Sequence, residues 1–292
     1  MKYGTVAIPC NAPLSNDLKL TLYAARDADI LVADSYSFDE GYFKGISSLD
    51  ALIVAFDDLM NRKLPVDVVI GGIYAKRENY GALLNPATPL LAGPQYIPLR
   101  RQFRGIPKKK VGRTVKSLMI AMGGEDPKNS TMQIVNSLPE EYRTVNVQIL
   151  IGGAYRHRRA LEKTLIMHNQ RYALHHKIPD PLKLYAKTDL AITAGGITAW
   201  ELAAAGVPMI LVQIADNQRG VISYIKSHKM GKSAGEYGST SAKRLINALK
   251  ECEGQGERTR MSAKCQGTID GKGTERIVER LFLYCGKKER KK

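Results

Sequence analysis

The sequence predicts an α/β protein built on parallel sheets. Short apolar runs recur along the chain, and segments of helix length separate them. Because the runs are apolar on both strand faces, they fit strands that helices cover on both sides, as in a parallel sheet. The runs are "DILVADSY" (29–36), "DALIVAFDD" (50–58), "VDVVIGG" (66–72), "SLMIAMGG" (117–124), "VNVQILIGG" (145–153), "YALHHKI" (172–178), "DLAITAGG" (189–196) and "PMILVQIAD" (208–216).

The alternation of strands and helices is interrupted by the charged segment "RRQFRGIPKKKVGRTVKS" (100–117), which contains Gly and Pro. Exposed segments of this composition commonly join domains. We therefore predict an N-terminal domain over 1–106, a C-terminal domain over 107–286 and a basic tail over 287–292. Closing helices are predicted over 240–252, 257–267 and 272–285.

The chain has 292 residues, a formal net charge of +16 and a sequence pI near 9.6, which favour an anionic partner. Phe and Trp are scarce, with five and one in the chain, so specific nucleic-acid binding is not predicted. The basic run Lys108–Lys110 is interpreted as a charged linker and the tail 287–292 as a solvated terminus.

The four cysteines show neither CxxC spacing nor His at metal-ligand spacing, so no metal, disulfide framework or cofactor is predicted. The N-terminus lacks an apolar region of signal-peptide length, and no run reaches the ~18 residues of a membrane span. The sequence therefore predicts a soluble, cytoplasmic protein.

Paired glycines end the strand in "AMGGEDPKNS" (121–130). Gly123 and Gly124 allow the backbone to approach a ligand, and Asp126 followed by Pro127 is typical of a helix start. In open α/β sheets ligands lie beyond the carboxyl ends of the strands, so this turn is a candidate site. A tight strand-to-helix turn with a cap explains the residues equally well.

A second pair, Gly195 and Gly196, precedes the helix that begins in "TAGGITAWE" (193–201). The free amides of Gly196, Ile197 and Thr198 at the helix N-terminus, with its partial positive charge, would suit a phosphate. Thr198 and Glu201 also fit a capping box, in which the acid binds the cap amide. Alternatively, Glu201 accepts both hydroxyls of a ribose beside that phosphate.

Two further strand ends face the same edge of the predicted sheet. Asp216, Asn217 and Gln218 follow one strand and are candidate ligand contacts. Alternatively, Asp216 is a helix N-cap and its neighbours are ordinary polar loop residues. "HHKIPDP" (175–181) follows another, and only one of its two adjacent His side chains can face a cleft. Neither GxGxxG nor GxxxxGK[ST] occurs, which argues against an NAD-binding fold and a P-loop.

Taken together, several stretches occur in an order and spacing that resemble one family, the UDP-2,4-diacetamido-2,4,6-trideoxy-β-L-altropyranose hydrolases of pseudaminic acid biosynthesis, which includes SpsG-type spore coat polysaccharide proteins. The resemblance spans most of residues 30–230. The stretches are "ILVADSYSFDE" (30–40), "FDDLMNR" (56–62), "NYGALLNPATPLLAGPQYIPLRRQF" (79–103), "MGGEDPKN" (122–129) and "AITAGGITAWELAAAGVPMILVQIADNQ" (191–218).

The resemblance implies a MurG-type GT-B fold, with two Rossmann-like domains and a UDP-sugar held mainly by the C-terminal one. It assigns Gly123, Gly124 and Asp126 to a wall of the nucleotide-sugar cleft. It places Gly195, Gly196 and Thr198 at the diphosphate and Glu201 at the ribose. It places Asp216, Asn217 and Gln218 near the sugar or phosphates, and Ile178 at the border of the uracil.

Family members begin with a strand, a loop of pattern G-x-G-H-x-x-R and a long helix, and the loop His is the proposed base. The pattern does not occur in this sequence, so no catalytic residue is assigned. We expect an N-terminal domain that lacks the central strands of its sheet, leaving an exposed edge or apolar face that a partner chain, a second copy or a rearrangement covers.

Three functions follow from these residues. The first is UDP-sugar hydrolysis, for nonulosonic acid or surface polysaccharide biosynthesis, if His175, His176 or Asp34 replaces the family base or another chain supplies the loop. The second is a catalytically silent nucleotide-sugar-binding subunit. The third is a GT-B glycosyltransferase that uses UDP-GlcNAc-like donors.

Overall fold

The computed structural model describes residues 12–167, 171–236 and 241–289, together with Thr5, Ala7 and Ile8. The chain forms two compact units, one of Met1–Tyr96 with Glu275–Lys292 (unit 1) and one of Ile97–Thr274 (unit 2). Each unit has its own sheet, and every strand pair in both sheets is parallel. The predicted α/β class with two parallel sheets is confirmed.

Unit 1 is a 4-stranded sheet of order β1-β2-β3-β4. Its strands are β1 (Ile30–Ala33), β2 (Leu52–Asp57), β3 (Val68–Gly71) and β4 (Leu90–Leu91), and its helices are α1 (Leu14–Ala24), α2 (Glu40–Ile46) and α3 (Arg77–Tyr80). Helix α11 (Gly273–Glu289) packs Ile277 and Leu281 against Val54 and Ile70 of the sheet. Apolar residues on both faces of β2 and β3 are therefore covered, as the sequence predicts.

Unit 2 is a 6-stranded sheet of order β10-β9-β8-β5-β6-β7. Its strands are β5 (Ser117–Ala121), β6 (Asn146–Ile151), β7 (Tyr172–His176), β8 (Leu190–Ala194), β9 (Met209–Gln213) and β10 (Gly231–Glu236). Its helices are α4 (Ser130–Ser137), α5 (Arg158–Met167), α6 (Leu182–Lys187), α7 (Ile197–Ala204), α8 (Arg219–Ser227), α9 (Ser241–Glu251) and α10 (Gln255–Thr268).

The apolar runs coincide with strands of both sheets, and the closing helices are present as α9, α10 and α11. Two strands have no counterpart among the predictions. Strand β4 contains only two residues, and the edge strand β10 has the sequence GKSAGE, which carries no apolar run. Central strand β8, by contrast, is buried along its whole length.

The compact units divide between Tyr96 and Ile97, upstream of the predicted boundary at 106, and residues from Glu275 onward belong to unit 1. The basic run is also more than a charged linker. Lys109 Nζ donates to the carbonyls of Tyr185 and Ala186 at 3.1 and 3.0 Å, at the C-terminus of α6. Burial lowers the pKa of this lysine, and the nearby carboxylate of Asp189 partly offsets that lowering.

No helix within the described ranges is long and apolar enough to cross a bilayer. The free thiols of Cys252 and Cys265 are buried, and burial raises the pKa of each to about 12, so neither is a reactive nucleophile. The described residues include no group of three or more His, Cys, Asp or Glu side chains arranged to hold a metal. Cys10 and residues 290–292 of the basic tail lie outside the described residues.

Candidate nucleotide site at the switch point of unit 2

The chain reverses its direction of travel across the sheet of unit 2 between β5 and β8. From β5 it proceeds outward through β6 to β7, and from β8 it proceeds the other way through β9 to β10. The connections after β5 and β8 therefore diverge and leave a crevice at the carboxyl ends of these neighbouring strands. In open α/β sheets this switch point is where ligands bind.

A cavity of about 410 Å³ lies at this position. Its size falls within the ~300–1,000 Å³ range of small-molecule sites. It is lined by the ends of β5, β6 and β8, the loop after β7, the first turn of α7 and one residue ahead of α8. The lining residues are Ala121, Gly123, Gly124, Leu150, Ile151, Gly152, Lys177, Ile178, Thr193, Ala194, Gly196, Ile197, Thr198 and Gln218.

Glycines give the cavity its backbone walls. Gly123 has φ +89°, a left-handed conformation that favours glycine. A β-carbon at Gly124 or Gly196 would meet no atom within 4 Å, so both positions face open space. Gly152 differs, because its β-carbon would lie 2.3 Å from the Gly124 Cα. The end of β6 therefore packs directly on the loop after β5.

The first turn of α7 presents unpaired backbone donors to the cavity. The helix begins at Ile197, and its N-cap residue Gly196 makes no side-chain cap hydrogen bond. The amides of Ile197 and Thr198 have no acceptor within the helix because of their position in its first turn. These amides and the partial positive charge of the helix N-terminus form an anion site.

The corresponding turn after β5 is already occupied by a side chain. Asp126 is buried and accepts hydrogen bonds from the amides of Ser130 and Thr131 at 2.8 and 2.7 Å. Asp126 thus caps α4, as one interpretation of the sequence expected, but the helix begins at Ser130 and not directly after the acid. Asp126 does not line the cavity, and of these two helix starts only that of α7 has no side chain on its first amides.

Lys177 supplies a cation to the cavity lining. It follows β7 with φ +53°, and its side chain extends over Gly153, where a β-carbon would lie 2.7 Å from Lys177 Cε. The lining contains neither His nor a carboxylate. The described lining therefore combines helix amides, one lysine and apolar side chains, which suits a phosphate-bearing ligand but provides no general base.

Glu201 lies beside the cavity on α7 and does not line it. Its Oε1 accepts a hydrogen bond from Arg100 Nη2 at 2.9 Å, and its Oε2 accepts one from the Tyr185 hydroxyl at 2.9 Å. The capping box with Thr198 is not formed, since the helix begins at Ile197 and the carboxylate points to these two donors. Burial and the neighbouring carboxylate raise the pKa of Tyr185, so this phenol remains a donor.

The remaining predicted residues divide between structural and lining positions. Gly195 packs against α8, because a β-carbon there would lie 2.8 Å from Ile222 Cγ1. Gln218 lines the cavity, and its Oε1 accepts from the Ile214 amide at 3.0 Å. Asp216 is exposed and pairs with Arg219 at 2.9 Å, and Asn217 is also exposed. Neither of these last two lines the cavity.

The residues considered as replacements for the family base lie elsewhere. His175 is half-buried with Nε2 2.6 Å from Gln148 Oε1, and burial lowers its pKa. His176 is exposed with Nδ1 3.4 Å from Arg158 Nη1, so the two rings face opposite sides of β7, as expected. Asp34 is exposed at the end of β1 in unit 1. Of these three side chains, none lines the unit 2 cavity.

Sequence reasoning missed Lys177 and Gly152 as lining residues, and it expected Ile197 only as an amide donor. Gly152 was detectable, because it belongs to a third strand-end glycine pair in "VNVQILIGG". Lys177 lies between the two histidines and Ile178. The sequence interpretation of this segment considered only those three neighbours. Ile197 is 53% exposed at the cavity, a position that sequence periodicity alone does not reveal.

A second cavity of unit 2, of about 710 Å³, lies near the start of β10 and is richer in charge. Its cations include Lys226, Lys229 and Lys232, but Lys232 is bound by Glu251 and Glu257 at 2.9 Å each. The switch-point cavity combines unpaired helix amides with glycine walls, whereas charged side chains make up much of the lining of this one. The switch-point cavity is therefore the better candidate for a defined ligand.

The sequence matches no protein-family model. It is 25% identical over 199 residues to the spore coat polysaccharide biosynthesis protein SpsG of Bacillus subtilis, a match that covers 66% of this chain and 58% of that protein. The chain spans 41% and 58% of the lengths of two curated relatives that it matches.

Solved structures share the fold at low identity. MurG of Acinetobacter baumannii superposes with a TM-score of 0.62 and 14% identity, covering 92% of this chain and 78% of that chain. A putative UDP-N-acetylglucosamine 2-epimerase from Listeria monocytogenes gives a TM-score of 0.62 and 16% identity, covering 94% and 80%. The α/β fold with two parallel sheets therefore matches that of GT-B proteins such as MurG.

Proposed function

We propose that unit 2 binds a UDP-sugar and that the diphosphate lies at the N-terminus of α7. One observation carries this proposal: the uncapped first turn of α7 and the residue Lys177 both belong to the lining of the switch-point cavity. Backbone amides and a cation are the groups that bind phosphate at helix N-termini. Nearby, Gly123, Gly124 and Gly196 leave room for the ligand to approach the backbone.

The identity of the nucleotide rests on likeness and not on the cavity chemistry. The stretches quoted above resemble UDP-sugar hydrolases, a fold neighbour is named for a UDP-sugar, and a relative is named for polysaccharide biosynthesis. We assign Ile178 and the exposed Ile197 to the apolar border of the base or sugar. Thr198 and Gln218 are assigned to polar contacts with the phosphates. Glu201 is assigned to the ribose, as an acceptor that it shares with its present donors Arg100 and Tyr185.

For the reaction we propose release of UDP from a UDP-2,4-diacetamido-trideoxyhexose by attack of water on the anomeric carbon. As the bond between the anomeric carbon and the β-phosphate oxygen breaks, that oxygen gains one negative charge, which the amides and Lys177 stabilise. Water must also lose a proton to a base. Because the described lining holds neither His nor carboxylate, that base lies outside this cavity.

The same absence supports a second candidate, a nucleotide-sugar-binding subunit without activity of its own. A positioned base contributes about 10²- to 10⁴-fold to a rate, so a chain without one retains binding and loses most turnover. The third candidate is a GT-B glycosyltransferase, which transfers the sugar to an acceptor other than water. A single UDP-release assay distinguishes the three candidates.

The test follows UDP release from the UDP-linked diacetamido sugar by the purified chain, with Gly196→Leu as the control that fills the cavity. Release that the control abolishes supports hydrolysis at this site. UDP binding without release supports the binding subunit. Release that rises on addition of a sugar acceptor supports the transferase. Absence of both binding and release would contradict the proposal.

A further inference from the structure

The loop after β7 carries two cavity residues, Lys177 and Ile178. Side chains that do not line the cavity bind this loop and fix its position. Lys177 adopts a left-handed conformation with φ +53°, which is uncommon for a side-chain-bearing residue and needs support from its surroundings. Within the loop, Asp180 Oδ1 accepts from the Leu182 amide at 3.0 Å, which fixes the end that leads into α6. The segment that enters unit 2 provides the other supports.

Arg100 links this loop to the helix on the other side of the cavity. Its Nη1 donates to the Pro179 carbonyl at 3.0 Å, and its Nη2 donates to Glu201 Oε1 at 2.9 Å. Gln102 Nε2 adds a hydrogen bond to Asp180 Oδ1 at 3.1 Å. A single guanidinium group therefore spans from the loop of Lys177 to α7, which presents the proposed phosphate amides.

The partners of Arg100 make this link stiff. Glu201 is 8% exposed, and Tyr185 binds its second oxygen, so the carboxylate is fixed in orientation. The guanidinium carbon lies 5.6 Å from the ring centroid of Phe103, which is buried. A planar guanidinium can donate hydrogen bonds to two acceptors that lie in different, fixed directions. A lysine ammonium on its flexible stem does not reproduce this paired geometry.

We propose that Arg100 is a positioning residue for nucleotide binding: through Pro179 and Glu201 it holds the loop of Lys177 and Ile178 at a fixed place relative to the first turn of α7. The inference rests on the proposed UDP site. It adds that nucleotide affinity depends on a side chain that lies outside the cavity lining and touches the ligand through none of its own atoms.

Arg100→Lys is the informative variant, because it retains a cation for Glu201 and removes the fork to Pro179. Arg101→Lys, at the exposed neighbouring position, is the matched control. We expect Arg100→Lys to weaken UDP binding by about threefold to tenfold, a magnitude typical of coupled neighbours, and Arg101→Lys to leave it unchanged. Hydrogen exchange of the Ile178 and Asp180 amides should accelerate in Arg100→Lys alone, without nucleotide.

A double-mutant cycle with Lys177→Met separates positioning from general destabilisation. If Arg100 positions Lys177, the loss caused by Lys177→Met is several-fold smaller in the Arg100→Lys background than in the wild type, and the salt dependence of binding falls in both single variants. An equal loss in both backgrounds, or unchanged loop exchange, overturns the inference while UDP binding by the wild type still supports the proposed function. Failure of the wild type to bind UDP overturns both.

Discussion

Gly152 and Gly124 lie in direct backbone contact, and a β-carbon on Gly152 would come within 2.3 Å of the Gly124 Cα and carbonyl oxygen. The ends of β5 and β6 therefore meet without space for a side chain between them. Because both residues line the switch-point cavity, this contact sets the shape of one wall. Glycine at position 152 is thus required by the close packing of two loops.

Gly152→Ala is expected to push the loop of Gly124 outward and to weaken UDP binding. The overlap involves backbone atoms, so relief requires a loop shift that lowers the free energy of unfolding by about 1–3 kcal/mol. Calorimetric titration and urea unfolding measure the two effects. Gly267→Ala is the matched control, because its β-carbon would meet no atom within 4 Å and it lies within α10. Equal stability of both variants would contradict the packing argument.

The neighbouring glycines Gly195 and Gly196 should separate stability from binding. A β-carbon at Gly195 would lie 2.8 Å from Ile222, so Gly195→Ala is expected to destabilise the fold. Gly196 faces open space beside the phosphate amides, so Gly196→Leu should leave the midpoint of unfolding unchanged and abolish detectable UDP binding. Calorimetry with thermal unfolding tests the pair. Retained affinity in Gly196→Leu would place the nucleotide elsewhere.

Lys177→Ala is expected to weaken UDP binding by roughly tenfold to hundredfold, since a hydrogen bond to a charged group contributes about 1.5–3 kcal/mol. The dependence of affinity on salt concentration should also become shallower, because one cation no longer faces the phosphates. Lys187→Ala, at an exposed position at the end of α6, is the control. An unchanged salt dependence in Lys177→Ala would show that this ammonium does not face the diphosphate.

Asp126→Ala should affect stability more than binding. The carboxylate satisfies the amides of Ser130 and Thr131, and loss of such a cap costs about 1–2 kcal/mol. Asp126→Asn retains an acceptor and tolerates the left-handed φ of +44°, so its loss should be smaller. Urea unfolding measures both variants. A large loss of UDP affinity in a folded Asp126→Asn protein would indicate a ligand contact in addition to the cap.

His175 should make stability depend on pH. Burial lowers its pKa in the folded state, so the unfolded chain binds the proton more readily. Its contribution is present above the unfolded value near 6.5 and is lost as the pH falls through the lower folded value. We expect the unfolding free energy of wild type to fall more than that of His175→Gln between pH 7.5 and 5. The exposed neighbour variant His176→Gln should follow the wild type, and identical profiles for all three would contradict the prediction.

The strands that build the site were predictable because they carry their signal locally. Strand β8 is buried throughout, is apolar apart from Thr193, and is followed by Gly195 and Gly196, so periodicity and turn chemistry agree. The order of strands places this end beside the end of β5, and that adjacency is a property of the sheet topology. Sequence reasoning expected a shared edge but not which strands are neighbours.

The contacts of Glu201 illustrate what local sequence leaves undetermined. Its spacing from Thr198 permits a capping box, but the acid binds Arg100, which is distant in sequence, and Tyr185 on another helix. A similar long-range effect places α11 on the sheet of unit 1, through Ile277 and Leu281. Such contacts depend on tertiary packing that no spacing rule encodes.

The most direct test of the account is a titration of the isotopically labelled chain with UDP, followed through its backbone amide resonances. We predict that the amides of Gly196, Ile197 and Thr198 shift together and saturate with one dissociation constant, and that the same shifts are absent in Gly196→Leu. Shifts confined to the basic cavity around Lys229 and Lys232, or no shifts at millimolar UDP, would contradict a diphosphate site at the N-terminus of α7.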